Sequence, residues 1–299
     1  MECLEIHAPT ITFVDCEGAG DAFEVSQSEE FFGKQAYLTV SAQLHAEMAA
    51  ASLSRCYSFG PTFRAEKHNS SRHLSEFWML EAEVAFIKDV DQLAGLVEDM
   101  VRTVTQRLIE QSIVLDDLLI GKPSNVSGKM LEERWKQLSD KPFNRITYTE
   151  AVSKLKSENF TFPVKWGLSL QLEHEKFLSE QIFKGPVFVT DYPSHLKPFY
   201  MKLNEDEKTV ANLDLLLPSI SEVAGGSIRE DRLAHLQQAI TRFGLNGQEY
   251  KWYVDLRKFG SVPHGGFGLG FDRYLQYLMG INNIRDVVMV PRSTGSAEY

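Results

Sequence analysis

One stretch limits what this chain can fold into more than any other. From Tyr57 to Phe86 it reads YSFGPTFRAEKHNSSRHLSEFWMLEAEVAF, two alternating halves around a polar connection. In the first half Tyr57, Phe59, Pro61, Phe63 and Ala65 fall on one face, with Ser58, Gly60, Thr62, Arg64 and Glu66 on the other. In the second, Trp78, Leu80, Ala82, Val84 and Phe86 form an apolar face opposite Phe77, Met79, Glu81 and Glu83. Successive side chains of a strand point to opposite faces, so period two in both halves predicts antiparallel strands, each with one buried face. Lys67 to Arg72 forms the connection, too long for a tight turn, and gathers Lys67, His68, Arg72 and His73.

The polar face is unusual in its residue types. A solvated sheet face carries Thr, Ser and Lys; this one combines Arg64, Glu66, Glu81 and Glu83 with the aromatic Phe77. The residues alone leave two readings open. One is a cross-strand salt-bridge ladder. The other is a floor for a polyanion and a small cation, with arginine for a phosphate, Phe77 for a flat base and carboxylates for an ammonium or amide.

The rest of the composition narrows the class. The 299 residues suffice for one large domain or two small ones, and an apolar content of 43% is ordinary for a globular protein. No run approaches the roughly 20 apolar residues of a membrane span. A net charge of -10 excludes a generic polyanion binder, so any nucleic-acid contact has to come from a local basic patch. Cys3, Cys16 and Cys56 form no CxxC pair and no even framework, which points to a reducing compartment. The histidines show no metal-ligand spacing, and His174 in EHE reads as a surface helix residue. The N-terminus lacks the apolar core of a signal peptide and the Arg- and Ser-rich character of a transit segment.

Along the chain, ECLEIHAPTITFV reads as an extended edge around Pro9, and Asp15 to Val25 as a Gly-rich loop with acids. Ala36 to Val40 reads as a strand, with Ser41 capping a helix through Leu44, Met48 and Leu53. Asp89 to Gln111 is an amphipathic helix whose Leu93, Leu96, Val97, Met100, Val101, Val104 and Leu108 recur at three and four. Residues 112–186 read as polar and helix-rich, with Thr147 and Glu150 as a capping box. PVFVTDYP and KPFYMKLN read as two strands. In NLDLLLPSISEVAGGSIRE, Asp214 and Glu222 lie on neighbouring strands. They are either ordinary acids near a turn or a pair for a hard cation such as Mg²⁺, with Gly225 and Gly226 permitting close backbone approach. The following helix buries Leu233, Leu236, Ile240 and Phe243 and stops at Gly244. KWYVDLRKFG and VPHGGFGLGFDRYLQYLMG read as a strand, a Gly-rich turn at Gly268 and Gly270, and a helix with Arg273 on its first turn, so helix amides can face an anion. No complete βαβ unit fits there, and no Gly-Lys-Ser/Thr follows, which excludes Rossmann and Walker sites.

These pieces share a resemblance. FRAE followed by RHLSEF resembles motif 2 of the class II aminoacyl-tRNA synthetases, and Gly268-x-Gly270-x-x-Arg273 matches their motif 3, with EVAGGSIREDR between them in the family's order. WMLEAEVAF and LTVSAQL, with Ala42 where the family has glycine, look like the asparaginyl branch. LKPFYM and SVPHGGFG resemble its mitochondrial type. The resemblance runs from about Leu4 to the C-terminus. It implies an α+β fold, a mainly antiparallel sheet flanked by helices. It also implies one catalytic domain over residues 1–299 that begins within motif 1, with a helical insertion at about 112–186 and without the N-terminal anticodon-binding barrel.

The resemblance also implies roles. Arg64 would hold the ATP α-phosphate, with Glu66 near the adenine or the acceptor end and His73 among the ATP ligands. Phe77 would stack on adenine, and Arg273 opposite it would reach the γ-phosphate beside Gly270. Asp214 and Glu222 would hold Mg²⁺. Ser41 and Gln43 would meet the ammonium and carboxylate of L-asparagine, Arg229 its side-chain carbonyl and Glu81 its side-chain amide. Lys67, His68 and Arg72 would approach the acceptor end of tRNA(Asn). Arg64 and Arg273 would be the catalytic pair of an asparagine–tRNA ligase. The aspartyl relatives carry a lysine where this chain has Ala46, which with Glu81 favours asparagine over aspartate. The full-length form is expected to be a homodimer, in the mitochondrial matrix or the cytoplasm, with no membrane association. An aspartyl enzyme, an ammonia-dependent asparagine synthetase or an inactive truncated paralogue on the same domain are the competing readings.

Overall fold

The alternating stretch forms the hairpin it predicts. The computed structural model describes residues 2–14, 22–67, 70–111 and 127–298. In chain order come β1 (Leu4–Glu5), β2 (Ile11–Thr12), α1 (Ser28–Phe32), β3 (Tyr37–Leu38), α2 (Gln43–Leu53), β4 (Arg55–Phe63), β5 (Glu76–Ala85), α3 (Val90–Glu110) and α4 (Gly128–Ser139). Then come β6 (Asn144–Thr147), α5 (Tyr148–Leu155), α6 (Leu172–Lys176), β7 (Val187–Thr190), β8 (Asn212–Leu217) and β9 (Ser221–Ile228). Helices α7 (Leu233–Arg242) and α8 (Lys251–Lys258) precede β10 (His264–Gly270), which runs directly into α9 (Phe271–Met279).

Among the described residues the main sheet has 8 strands in the order β1-β4-β5-β10-β9-β8-β7-β6. Only the outer pairs β1–β4 and β6–β7 are parallel, so the interior is antiparallel as expected of an α+β fold. One sheet face is apolar. Leu213, Leu215 and Leu217 of β8, with Phe267 and Leu269 of β10, pack with Leu93, Val97 and Val101 of α3 and Leu131 and Leu138 of α4. Burying a side chain of this size stabilises by roughly 2 kcal/mol. Helix α3 starts where its sequence says, with Asp89 Oδ1 accepting from the Gln92 amide at 2.8 Å. The Thr147–Glu150 capping box is formed as well.

Several local expectations change for identifiable reasons. KWYVDLRKFG is helical over Lys251–Lys258, because Tyr253 and Arg257, one turn apart, share a buried face. The Gly-rich segment is the central strand β10, and its glycines answer to crowding above the strand, not to a turn. KPFYMKLN makes only isolated bridges, Met201 to Arg229 and Leu203 to Val210. The strand expected at Ala36 to Val40 is reduced to Tyr37–Leu38. Val104, at 45% exposure, and Met48, at 49%, lie off the buried stripes of their helices. Phe86 ends its strand with φ 66° and an exposed ring, and Trp78 is exposed too, packed on Phe59. His174 is buried: its Nδ1 accepts from the Gln171 amide at 3.0 Å, which leaves Nε2–H to donate to the Phe162 carbonyl at 3.2 Å. The 112–186 region is only partly described, from 127 onward. Its described part carries α4, α5 and α6, as well as β6, which joins the main sheet, and Trp135 enters the main core. Most of the acidic loop at Asp15 to Val25 lies outside the described residues.

Candidate active site

The second face of the sheet is polar, and cross-strand register builds it in rows. Ser58 of β4, Glu81 of β5, Gly268 of β10, Gly225 of β9 and Asp214 of β8 stand side by side. The next row is Cys56, Glu83, Gly266, Ser227 and Asn212. Gly268 and Gly266 of β10 therefore stand beside Glu81 and Glu83. A Cβ at 266 would overlap the Glu83 carboxylate and the Ala82 carbonyl, whereas one at 268 would meet the flexible end of Met79 at 2.6 Å. Close approach also holds the other side of β10, where a Cβ at 226 would lie 2.8 Å from the Gly266 carbonyl.

A one-residue irregularity brings in Glu222. Asp214 faces Gly225 and Leu215 faces Ala224, but Leu216 faces Glu222, so Val223 is the extra residue of a bulge. Glu222 thereby shares the polar face with Asp214. Both acids approach the same glycine, at 3.3 Å and 3.6 Å from where its Cβ would be.

Above this floor opens a cleft of about 1360 Å³. Arg64, Glu66, Arg72, His73, Phe77, Asp214, Glu222, Gly270 and Arg273 line it, and so do Ser41, Gln43, Glu81 and Arg229. Lys67 is exposed and does not line it, and His68 lies outside the described residues. The two arginines expected to act together do share one cavity. Arg64 lies 5.6 Å from the Phe77 ring centroid and 3.9 Å from Glu66. Arg273 donates to the Glu222 carbonyl at 2.8 Å and to the Arg72 carbonyl at 3.1 Å, which ties the β4–β5 connection to the β8–β9 hairpin. Arg72 donates to the Ile220 carbonyl at 3.3 Å, and His73 Nδ1 pairs with Ser70 Oγ at 2.5 Å. Burial lowers the Arg273 pKa, with Glu222 opposing and Arg72 and Arg64 adding to the fall. A cleft that concentrates three guanidinium groups is built for an anion of high charge.

Residues that spacing had not singled out complete the acidic side. Glu175 of α6 faces Glu222 and Asp214; burial and those two charges raise its pKa to about 7. Asp214 is raised to about 6 by burial, with Lys197 opposing and Glu222 adding. Lys197 Nζ lies 2.5 Å from Asp214 Oδ2. Three carboxylates around one lysine leave negative charge for a cation to offset.

The side of the cleft bearing Ser41, Gln43, Glu81 and Arg229 is more deeply buried. Glu81 Oε2 accepts from the Ala42 amide at 2.7 Å, and Oε1 accepts from the Ser41 hydroxyl in a short bond. Ser41 also accepts from the Gln43 amide at 3.1 Å, so it caps α2 from one position before the N-cap Ala42. Arg229 donates to Glu83 through Nε at 3.1 Å and Nη2 at 2.9 Å, and through Nη1 to Ser227 Oγ at 2.7 Å. Burial alone would lower the Arg229 pKa; the Glu83 and Glu47 charges outweigh it and hold the group charged. Ala46 is buried beside Ala50 and Cys56 and offers the pocket no charge.

Beneath Arg229 lies a second set of charged residues. Donor atoms of Glu47, Glu83 and His264 come within 4.8 Å of one another, a spacing a metal could use. Arg229 and Arg257 already occupy those carboxylates, at 2.9 Å from Glu83 and 2.6 Å from Glu47, so the cluster is neutralised without an ion. Burial pulls the His264 pKa down, but the bond to Glu47 and the charges of Glu47 and Glu83 outweigh it and Arg257, so the net shift is upward. A raised imidazole stabilises the fold fully below its unfolded value, about 6.5, and loses that contribution as pH rises through the folded value. The Tm difference between the parent chain and His264→Gln is therefore expected to be larger at pH 6 than at pH 9. A constant difference across that range would show that the imidazole titrates alike in the folded and unfolded chains.

Known proteins carry the same architecture. The family described as tRNA synthetases class II (D, K and N) matches residues 1–294. An asparagine–tRNA ligase of Clostridium tetani is 47% identical over 98% of this chain and 66% of its own length. The crystal structure of asparaginyl-tRNA synthetase from Pyrococcus horikoshii complexed with asparaginyl-adenylate superposes with a TM-score of 0.88 at 35% identity, covering 98% of this chain and 64% of that one. The Entamoeba histolytica asparaginyl-tRNA synthetase, also in complex with asparaginyl-adenylate, gives 0.85 at 32% identity, covering 99% and 63%. The chain thus spans about two thirds of the length of these relatives. With the antiparallel sheet, the paired arginines and the match over nearly all its residues, the chain belongs to the class II tRNA synthetases of the D, K and N group.

Proposed function

We propose that this cleft activates L-asparagine with ATP and passes it to the terminal adenosine of tRNA(Asn). The observation that carries this reading is the convergence of Arg64 and Arg273 on one cleft also lined by Glu81 and Arg229. The similarity to asparagine–tRNA ligases and to structures holding asparaginyl-adenylate supports it.

The chemistry asks for these residue types. An oxygen of the asparagine carboxylate attacks the α-phosphorus of ATP in line, a new P–O bond forms, the α–β bridge breaks and pyrophosphate leaves. A ribose hydroxyl of the tRNA's terminal adenosine then attacks the adenylate carbonyl, and AMP leaves. The substrates supply both nucleophiles, so catalysis rests on positioning and on offsetting phosphate charge. Arg64 would hold the α-phosphate and Arg273 the γ-phosphate, with adenine between Phe77 and Arg273. Asp214 and Glu222, with Glu175 beside them, are hard oxygen donors that fit Mg²⁺, which when bound would offset triphosphate charge. Arg229 would meet the side-chain carbonyl and Glu81 the side-chain amide.

ATP–pyrophosphate exchange measured with each amino acid tests the proposal. Asparagine is expected to support exchange and aspartate to fail; exchange with aspartate, or consumption of aspartate with ammonia, would overturn it. Glu81→Gln removes the negative charge that repels a second carboxylate, so the asparagine-to-aspartate ratio of kcat/KM is expected to fall by about tenfold or more. An unchanged ratio would remove Glu81 from the specificity pocket.

A further inference from the structure

Glu47 is fully buried and does not line the cleft, yet it touches two residues that do. One turn back on α2, Gln43 donates through Nε2 to Glu47 Oε1 at 3.1 Å. Across the site, Arg229 Nε lies 3.8 Å from the same oxygen. From below, Arg257 Nη2 donates to Oε2 at 2.6 Å, His264 Nε2 pairs with it at 3.0 Å, and the Tyr253 hydroxyl lies 2.9 Å and 2.8 Å from the two oxygens. These three partners do not line the cleft.

Chemistry then fixes the orientation of Gln43. An ionised carboxylate only accepts hydrogen bonds, and a primary amide has one end that donates and one that accepts. Facing Glu47, the Gln43 amide has to turn its nitrogen inward, which directs Oε1 toward the cleft. Burial would raise the Glu47 pKa, but Arg257, His264 and Arg229 outweigh it, so the acceptor-only state is held. We propose that Glu47 is a positioning residue that presents the Gln43 oxygen to the α-ammonium of the bound amino acid and sets its distance from Arg229. This rests on the asparagine-activating reading above. It goes further by assigning the orientation of Gln43 to a residue outside the cleft.

The test compares asparagine with its desamino analogue succinamate, which keeps the carboxylate and the side-chain amide but lacks the ammonium. In the parent chain, asparagine-dependent ATP–pyrophosphate exchange has to be present; its absence would refute the asparagine reading itself, before any variant is compared. In Glu47→Gln, the inward group can donate as well as accept, so the Gln43 amide loses its fixed orientation. The KM for asparagine is expected to rise about tenfold or more, while the inhibition constant of succinamate and the KM for ATP stay within about twofold. Should Glu47→Gln fail to fold, Tyr253→Phe removes one hydrogen bond and keeps the charges. Its expected effect is a roughly threefold rise in the asparagine KM, again without change for succinamate. Equal weakening of asparagine and succinamate in the variant measured would mean that the network only supports the fold. An unchanged asparagine KM would equally overturn the proposal.

Discussion

Replacing Arg273 with alanine is expected to reduce asparagine-dependent ATP–pyrophosphate exchange by about a thousandfold, on the scale seen when a charge-stabilising donor is removed from an active site. The guanidinium has two jobs, and alanine removes both. Its two terminal nitrogens hold the carbonyls of Glu222 and Arg72, which fixes the hairpin bearing the acidic pair against the β4–β5 connection. Its charge faces the cleft beside those of Arg64 and Arg72, a concentration that suits a polyanion such as a triphosphate. Arg273→Lys keeps the charge but not the two-pronged geometry, so it should recover less than a tenth of the parental rate. Retention of more than a tenth of the rate in the alanine variant would mean that phosphate is handled elsewhere.

The second large effect concerns the floor. Gly266→Ala is expected to destabilise the chain by about 3 kcal/mol or more, enough to lower Tm steeply or abolish soluble protein. The added methyl would enter the space of the Glu83 carboxylate, which is held by Arg229, and of the Ala82 carbonyl, which is backbone and cannot swing away. Gly268→Ala supplies the control: its nearest neighbour is the end of the Met79 side chain, which can turn aside. Equal melting temperatures for the two variants would show that the carboxylates are not clamped.

These two glycines also show what a sequence conceals. The hairpin of β4 and β5 was legible because side chains advertise period two. In HGGFGLG the site face of the strand bears almost no side chains, so alternation vanishes and a turn is the natural reading. KWYVDLRK misleads in the opposite way: its apolar residues lie close together, and only the burial of Tyr253 with Arg257, one turn apart, reveals a helix. Arg64, Phe77, Asp214, Glu222 and Arg273 were found because the resemblance joined segments that spacing could not. Glu47, Arg257 and His264 escaped notice because their meeting depends on α2, α8 and β10 arriving at one point. The faint local signals were the four-residue steps from Gln43 to Glu47 and from Tyr253 to Arg257. Glu175 was masked by its neighbour, since in EHE the histidine draws the eye and is the buried structural member.

The bulge at Val223 has a consequence for how this region can vary. In a plain hairpin, parity decides which side a residue takes, and each strand position keeps the parity of its cross-strand partner. The extra residue reverses that parity for everything between it and the turn. Glu222 shares the face of Asp214 only because the count is off by one; were the same residues paired without the bulge, Val223 would stand opposite Leu216, and the Glu222 carboxylate, opposite Leu217, would be delivered into the leucine layer under α3. The irregular pairing at Val223 is therefore as constrained as the identities of Asp214 and Glu222.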